Sequence, residues 1–153
     1  MSSWGDFKSV EPEMAGVVQA LFDAHRHKTI ATIRADGSPR ISGIECVFDD
    51  DRLTFGSMGG ARKLADLRRD PRFALHSATV DPVEGEEGAW PGEAKIAGRA
   101  ISDGAITGEG SSPGEMFVAD LTEVVFVHLD MAATKLIVEW WTPTGGRRKV
   151  ERT

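Results

Sequence analysis

The chain has 153 residues, 18 Lys plus Arg against 24 Asp plus Glu, a formal charge of −6 and 41% hydrophobic content. That length suits one domain with its own core, typically about 100–150 residues, so 1–153 is read as a single unit. The acidic balance argues against nucleic-acid and acidic-membrane partners, which need a basic face. A lone cysteine, Cys46, cannot close an internal disulfide, and no apolar run approaches the roughly 18 residues of a spanning helix, so a cytoplasmic protein is expected.

Residues 1–9 read as a flexible N-terminus without a signal-peptide pattern. Met14, Val17, Val18, Leu21 and Phe22 recur at helical spacing, with Ser9 as N-cap, Pro12 in the first turn, and His25–Lys28 in the last. The period then drops to two. Thr29–Arg34 is a β-branched strand, Asp36-Gly37 supplies a tight hairpin turn, and Arg40–Phe48 returns as the second strand. Arg52–Ser57 is the third strand. Gly59-Gly60 leads into a short helix over Ala61–Arg69, which Asp70-Pro71 stops. Phe73–Ala78, Ala94–Ile101, Glu123–Leu129 and Leu136–Trp141 complete seven strands, with an acidic loop at 81–93 and a Gly/Ser-rich loop at Asp103–Gly114. The early connections are too short for parallel crossovers, so the sheet is antiparallel, and closing it into a barrel removes exposed edges.

Neither Cys-x-x-Cys nor His-Glu-x-x-His spacing occurs, and there is no Gly-x-Ser-x-Gly elbow, so spacing assigns no metal site and no nucleophile. Cys46, among Ile44, Val47 and Phe48, reads as a small core residue. The informative stretch is Ser57-Met58-Gly59-Gly60-Ala61-Arg62-Lys63. A strand ends, glycines turn the backbone, and a helix starts with two cations beside its free N–H groups, which together suit an anion. The plain alternative is an exposed helix with a charged face, since Arg68, Arg69 and Arg72 follow. Near the C-terminus, Trp140-Trp141 precede a basic tail with Arg147, Arg148, Lys149 and Arg152. Strand alternation sends only one of the two tryptophans to each face, so at least one is structural.

The order of elements, the segments Ala31–Arg40 and Leu53–Ser57, and the run Arg62–Arg72 resemble the pyridoxamine 5′-phosphate oxidase-like family of flavin and deazaflavin proteins. The resemblance implies a mainly β, six- to seven-stranded antiparallel split β-barrel, with an N-terminal helix and a short helix after strand three. It implies a homodimer with the cofactor at its interface. Arg62 and Lys63 would hold the cofactor phosphate, Gly56 and Ser57 would add contacts, and Ser42, Gly43 and Ile44 would run beside the ring. Trp141, and Arg148 or Arg152 on a 143–153 tail, would reach the partner's site.

Activity implied by the resemblance is that of an oxidoreductase using FMN to pass a hydride to or from a small organic substrate. The alternatives are the deazaflavin F-420, whose acidic tail would meet Arg68, Arg69 and Arg72 or the basic C-terminus, and a non-catalytic flavin-binding protein. No catalytic residue is assigned. Three departures separate the chain from authentic vitamin B6 oxidases: Val150 stands where their tail has a histidine, Ala61 replaces a serine, and Ile41 lies near the place of a strand-two arginine. Oxidation of pyridoxamine phosphate is therefore not expected.

Overall fold

In the computed structural model, residues 1–107 and 112–153 are described, and among them nine strands form one antiparallel sheet. Its strands are β1 Lys28–Ile33, β2 Pro39–Ile44, β3 Cys46–Asp49, β4 Arg52–Ser57, β5 Arg72–His76, β6 Glu93–Ile106, β7 Gly114–Leu129, β8 Leu136–Thr142 and β9 Gly146–Arg152. The helices are α1 Trp4–Val10, α2 Pro12–Asp23 and α3 Arg62–Arg69. The main path runs β2-β1-β5-β6-β7-β4-β3, with the β8–β9 hairpin attached to β7. The two ends of that path, β2 and β3, are consecutive in the chain, with only Glu45 between them. A sheet whose edges meet at a chain corner is curled on itself, and the fold is a split β-barrel.

Its interior is filled by Phe22, Ile30, Leu53, Phe55, Leu75, Ile96 and Phe117, all 2% exposed or less. The β1–β2 hairpin forms at Asp36-Gly37, where Gly37 takes φ +86°. A side chain there would be strained, and glycine is not. Cys46 is buried in the core cluster, and desolvation pushes its thiol pKa up to about 11, which makes it an inert packing residue.

Several boundaries differ from the sequence reading, each for a tertiary reason. The expected flexible N-terminus is placed as a helix. Ser3 and Asp6 form a reciprocal capping box that starts α1, and α1 buries Trp4 and Phe7. Trp4 meets Phe48 edge-on at 4.6 Å, and Phe7 meets Trp141 at 4.9 Å. Ser2 then docks on β7: its N–H donates to Asp120 Oδ1 at 2.8 Å, and its carbonyl accepts from the Leu121 N–H. This happens beside the bulge at Ala97/Gly98, where the β6–β7 ladder is interrupted and backbone groups are free to bond elsewhere. Ser9 is consequently inside α1, and Glu11 stands at the start of α2 without a side-chain cap.

α2 ends at Asp23, so His25–Lys28 are not its last turn, and Lys28 already begins β1. The expected second strand is broken at Glu45, the corner where the barrel splits. β6 extends to Ile106 and β7 begins at Gly114, so the ends of the supposed Asp103–Gly114 loop are strand; its centre, 108–111, lies outside the described residues. The tail is a strand of its own, β9, paired with β8 from Leu136↔Arg152 to Thr142↔Gly146.

Candidate functional site

Strand β4 ends at Ser57, which is 2% exposed, and its Oγ is a buried polar atom without a hydrogen-bond partner among the described residues. Such atoms are uncommon, because an unmade buried hydrogen bond costs about 1–3 kcal/mol. The chain turns through Met58-Gly59-Gly60, with Gly60 at φ +82°. Gly59 passes so close to the Ser112 carbonyl that a Cβ would collide with it. α3 then starts with Ala61 at its N-cap and no side-chain cap, and the first backbone bonds back to the cap come from Leu64 and Ala65. The N–H groups of Arg62 and Lys63 thus stand outside the helix ladder at its positive end.

What holds α3 there is a buried carboxylate. Asp66, 2% exposed, accepts from Thr32 Oγ1 at 2.8 Å, Arg40 Nε at 2.7 Å and Arg69 Nη2 at 3.0 Å. Burial alone would raise its pKa; the hydrogen bonds from Arg40, Thr32 and Arg69 outweigh that and hold the carboxyl below its ordinary value. Arg69 also donates to the Ile33 carbonyl at 3.0 Å. Helix α3 is therefore pinned to β1 and β2 on one side and presents its N-terminus on the other.

This network also sorts the basic residues. Arg68 pairs with Glu115 at 3.0 Å, Arg69 with Asp66 at 3.0 Å, and Arg72 with Asp70 at 2.7 Å. Arg62 and Lys63 have no carboxylate partner among the described residues. The charged-face reading thus accounts for three of the five cations and leaves the two at the helix start.

A cleft of about 510 Å³ opens at this point, within the range of small-molecule sites. Gly43, Ile44, Gly56, Ser57 and Lys63 line it together, so the structure unites half of the expected site residues from β2, β4 and α3. Gly56 is bare for a reason: a Cβ there would sit 2.8 Å from Met116 Sδ and 3.0 Å from Ile106 Cδ1. Arg62 is exposed and Ser42 is half-buried on β2; neither lines the cleft.

The C-terminal set lies elsewhere. Trp141 is buried against Phe7, and Arg148 and Arg152 lie exposed on β9. β4 pairs with β7 at Glu115–Val118 and β8 at Val124–Leu129, so the cleft strand and the tail hairpin adjoin different halves of β7. The six residue steps from Val118 to Val124 span roughly 20 Å of extended chain. Trp141 packs in the core of its own barrel and does not line this cleft. Trp140, on the alternate face, is half-buried.

The structure adds lining residues that sequence reasoning passed over: His27, Glu45, Val47, Thr54, Met58 and Ile106, among others. In sequence His27 is one of a run of basic residues after a helix, and no spacing links it to Glu45, whose carboxylate is 3.9 Å from its Nδ1. Two other depressions are as large or larger. One, about 550 Å³, includes Ala31, Ile41, Ala74 and Lys95; the other, about 830 Å³, lies along Val17, Ala20 and Leu21 of α2. Both lack a buried unpartnered polar atom, so chemistry rather than size selects the β2–β4–α3 cleft. Among the described residues no cluster of three or more His, Cys, Asp or Glu could hold a metal ion. No described helix is long and apolar enough to cross a membrane.

A split barrel with an anion-suited helix start beside a cleft is the class that the fold and the site define. The pyridoxamine 5′-phosphate oxidase family model matches residues 14–128, and the chain belongs to that family. No curated protein matches. Among solved structures, PhzG from Burkholderia lata 383, in complex with tetrahydrophenazine-1-carboxylic acid, superposes with a TM-score of 0.63 at 12% identity, covering 95% of this chain and 90% of that one. A pyridoxamine 5′-phosphate oxidase-related, FMN-binding protein from Nostoc punctiforme PCC 73102 gives 0.60 at 10% identity, covering 96% of each chain. General Stress Protein 26 from Bacillus anthracis gives 0.55 at 10% identity, covering 72% of this chain and 91% of that one. At such identities the likeness establishes the fold.

Proposed function

We propose that this protein is an FMN-dependent oxidoreductase that works as a homodimer on a small organic substrate. The observation that carries the reading is the unpartnered Ser57 hydroxyl, buried beside Lys63 at the uncapped start of α3. A phosphate monoester is the ligand those groups fit. Its oxygens would accept from Ser57 Oγ, from the Arg62 and Lys63 N–H groups and from the Lys63 ammonium, with the exposed Arg62 side chain closing over them. Gly43 leaves backbone open for a flat ring, with Ile44 as an apolar wall. When bound, FMN supplies hydride transfer, and the protein supplies the anchor, the orientation and a partly dry cleft.

Arg68, Arg69 and Arg72 are already paired with carboxylates, which leaves the basic C-terminal strand as the seat for an F-420 acidic tail; FMN, which needs neither set, is the preferred cofactor. The dimer reading draws support from Ile41, 75% exposed on edge strand β2 beside the small residues Ala31 and Ala74. In a dimer, Arg148 and Arg152 on β9 would be offered to the partner's cleft.

Titrating FMN and F-420 into the wild type and variants by flavin fluorescence tests this. Lys63→Ala should weaken FMN binding about ten- to a hundredfold, the loss of one charge-assisted contact of about 1.5–3 kcal/mol. Arg62→Ala should cost less, because Arg62 is exposed and does not line the cleft. Equal binding by all three proteins would return the basic pair to a solvated helix face. Turnover with a chemical reductant separates an enzyme from a flavin-binding protein, and light scattering that returns a 16.5 kDa monomer would remove the shared site.

A further inference from the structure

We infer that the mouth of the β2–β4–α3 cleft takes an uncharged, apolar co-substrate, seated on Val47, Ile106, Met58 and Met116; this rests on the FMN reading above. The first observation is exposure. Val47 is 60%, Met58 80% and Ile106 36% exposed, and all three line one cleft with Met116. Single exposed apolar side chains are ordinary, but several converging at the mouth of a cleft mark a binding face. The bare Gly56 backbone lets the tips of Met116 and Ile106 lie across β4. Two methionines among the four make the surface adaptable, since an unbranched thioether repacks around ligands of different outline.

The second observation is charge. The charged or titratable groups that line the cleft, among the described residues, are His27, Glu45 and Lys63. Glu45 is already engaged, with Arg26 Nε at 3.7 Å and His27 Nδ1 at 3.9 Å. Lys63 alone has no carboxylate partner among the described residues, and the cofactor phosphate takes it. With the phosphate on Lys63, and with the partner's Arg148 and the partner's Arg152 engaged by the cofactor as proposed above, no unpaired charge remains on the described lining to meet a charged co-substrate. Moving an ion into such a cleft without a partner is costly, whereas moving an uncharged ring onto Val47, Ile106 and the methionines is favourable. The charge ledger and the apolar mouth therefore select the same ligand class.

A matched pair of probes tests this: menadione, an uncharged naphthoquinone, against 1,4-naphthoquinone-2-sulfonate, the same ring bearing a negative charge. Binding to FMN-loaded protein is read by calorimetry and by quenching of bound-flavin fluorescence, without turnover. Menadione should bind at least tenfold tighter than the sulfonate. Val47→Asp and, separately, Ile106→Ser should weaken menadione at least tenfold and fivefold while the FMN Kd stays within twofold. Val17→Asp, in the α2 depression, should change neither. Three results overturn the inference while leaving the FMN reading intact: sulfonate binding as tight as menadione, menadione binding that survives both Val47→Asp and Ile106→Ser, or loss of binding with Val17→Asp alone. A parallel fall in FMN affinity in both cleft variants would also overturn it, because the mouth would then be the cofactor's own wall. A wild-type protein that binds no FMN overturns the cofactor reading, and the inference with it.

Discussion

Replacing Asp66 by Asn should unpin α3 and destabilise the whole barrel. The side chain is isosteric, so packing and the contact with Thr32 can persist, and what disappears is the negative charge between Arg40 and Arg69. Removing one partner from a buried ion pair costs about 3–5 kcal/mol, because the remaining charge is left buried and unmatched. The Arg40 side chain is 17% exposed and relieves part of that by reaching water, while the Arg69 pair, 42% exposed on the arginine, contributes at most about 1 kcal/mol. A net loss of about 3 kcal/mol follows, which for a domain of this size lowers Tm by roughly 6–12 °C. Thermal and urea unfolding followed by circular dichroism at pH 7 measure it directly.

Arg40→Met alone should cost a similar amount, and the double variant should cost clearly less than the two together, since no unmatched charge remains. Because Lys63 lies one turn before Asp66, folded Asp66→Asn should also bind FMN more weakly. The carboxyl is held below its ordinary pKa of 3.8, so its contribution is complete above that value and is lost as pH falls through the lower folded-state value. The variant's stability curve should lack that part of the acid limb. A Tm change under about 2 °C, or strictly additive single variants, would refute the idea that this carboxylate holds the helix.

Trp4→Ala should lower stability by about 3–5 kcal/mol, because it empties a site bounded by Phe7 and Phe48; calorimetric unfolding unchanged from wild type would mean that α1 is not docked in solution. Glu139, 6% exposed, accepts from His128 Nε2 at 2.7 Å and from Arg147 Nε at 3.0 Å, and Arg147 also reaches Glu11 at 3.7 Å. Burial would raise the Glu139 pKa, but the Arg147 and His128 bonds outweigh it, so this stabilisation is full above pH 4.5 and lost below; Glu139→Gln should destabilise at pH 7 and flatten the acid limb in urea melts taken between pH 3 and 7. FMN-loaded protein should not oxidise pyridoxamine phosphate at a useful rate in an oxygen-coupled assay. Val150 lies on β9 opposite Val138, Ile41 points into solvent, and Arg40 beside it is committed to Asp66, so the substrate-side hydrogen bonds are missing.

Local chemistry alone determined the hairpin at Asp36-Gly37, the third strand ending at Ser57 and the short helix stopped by Asp70-Pro71, because each depends on residues within one turn or one strand. The anion-suited helix start at Arg62-Lys63 was legible for the same reason, and alternation alone required one of Trp140 and Trp141 to face inward. Tertiary structure decided which one: Trp141 turns in because Phe7 of α1 waits there, which also converts an expected flexible terminus into a docked helix. Long-range pairing likewise decided which cations are free. Arg68 is neutralised by Glu115, 47 residues away, and Asp66 draws Arg40 across 26 residues, and neither distance leaves a mark on local composition. The apolar mouth of the cleft had no sequence signature either. Val47, Met58, Ile106 and Met116 sit on separate elements, and only the curl of the barrel brings them to one opening.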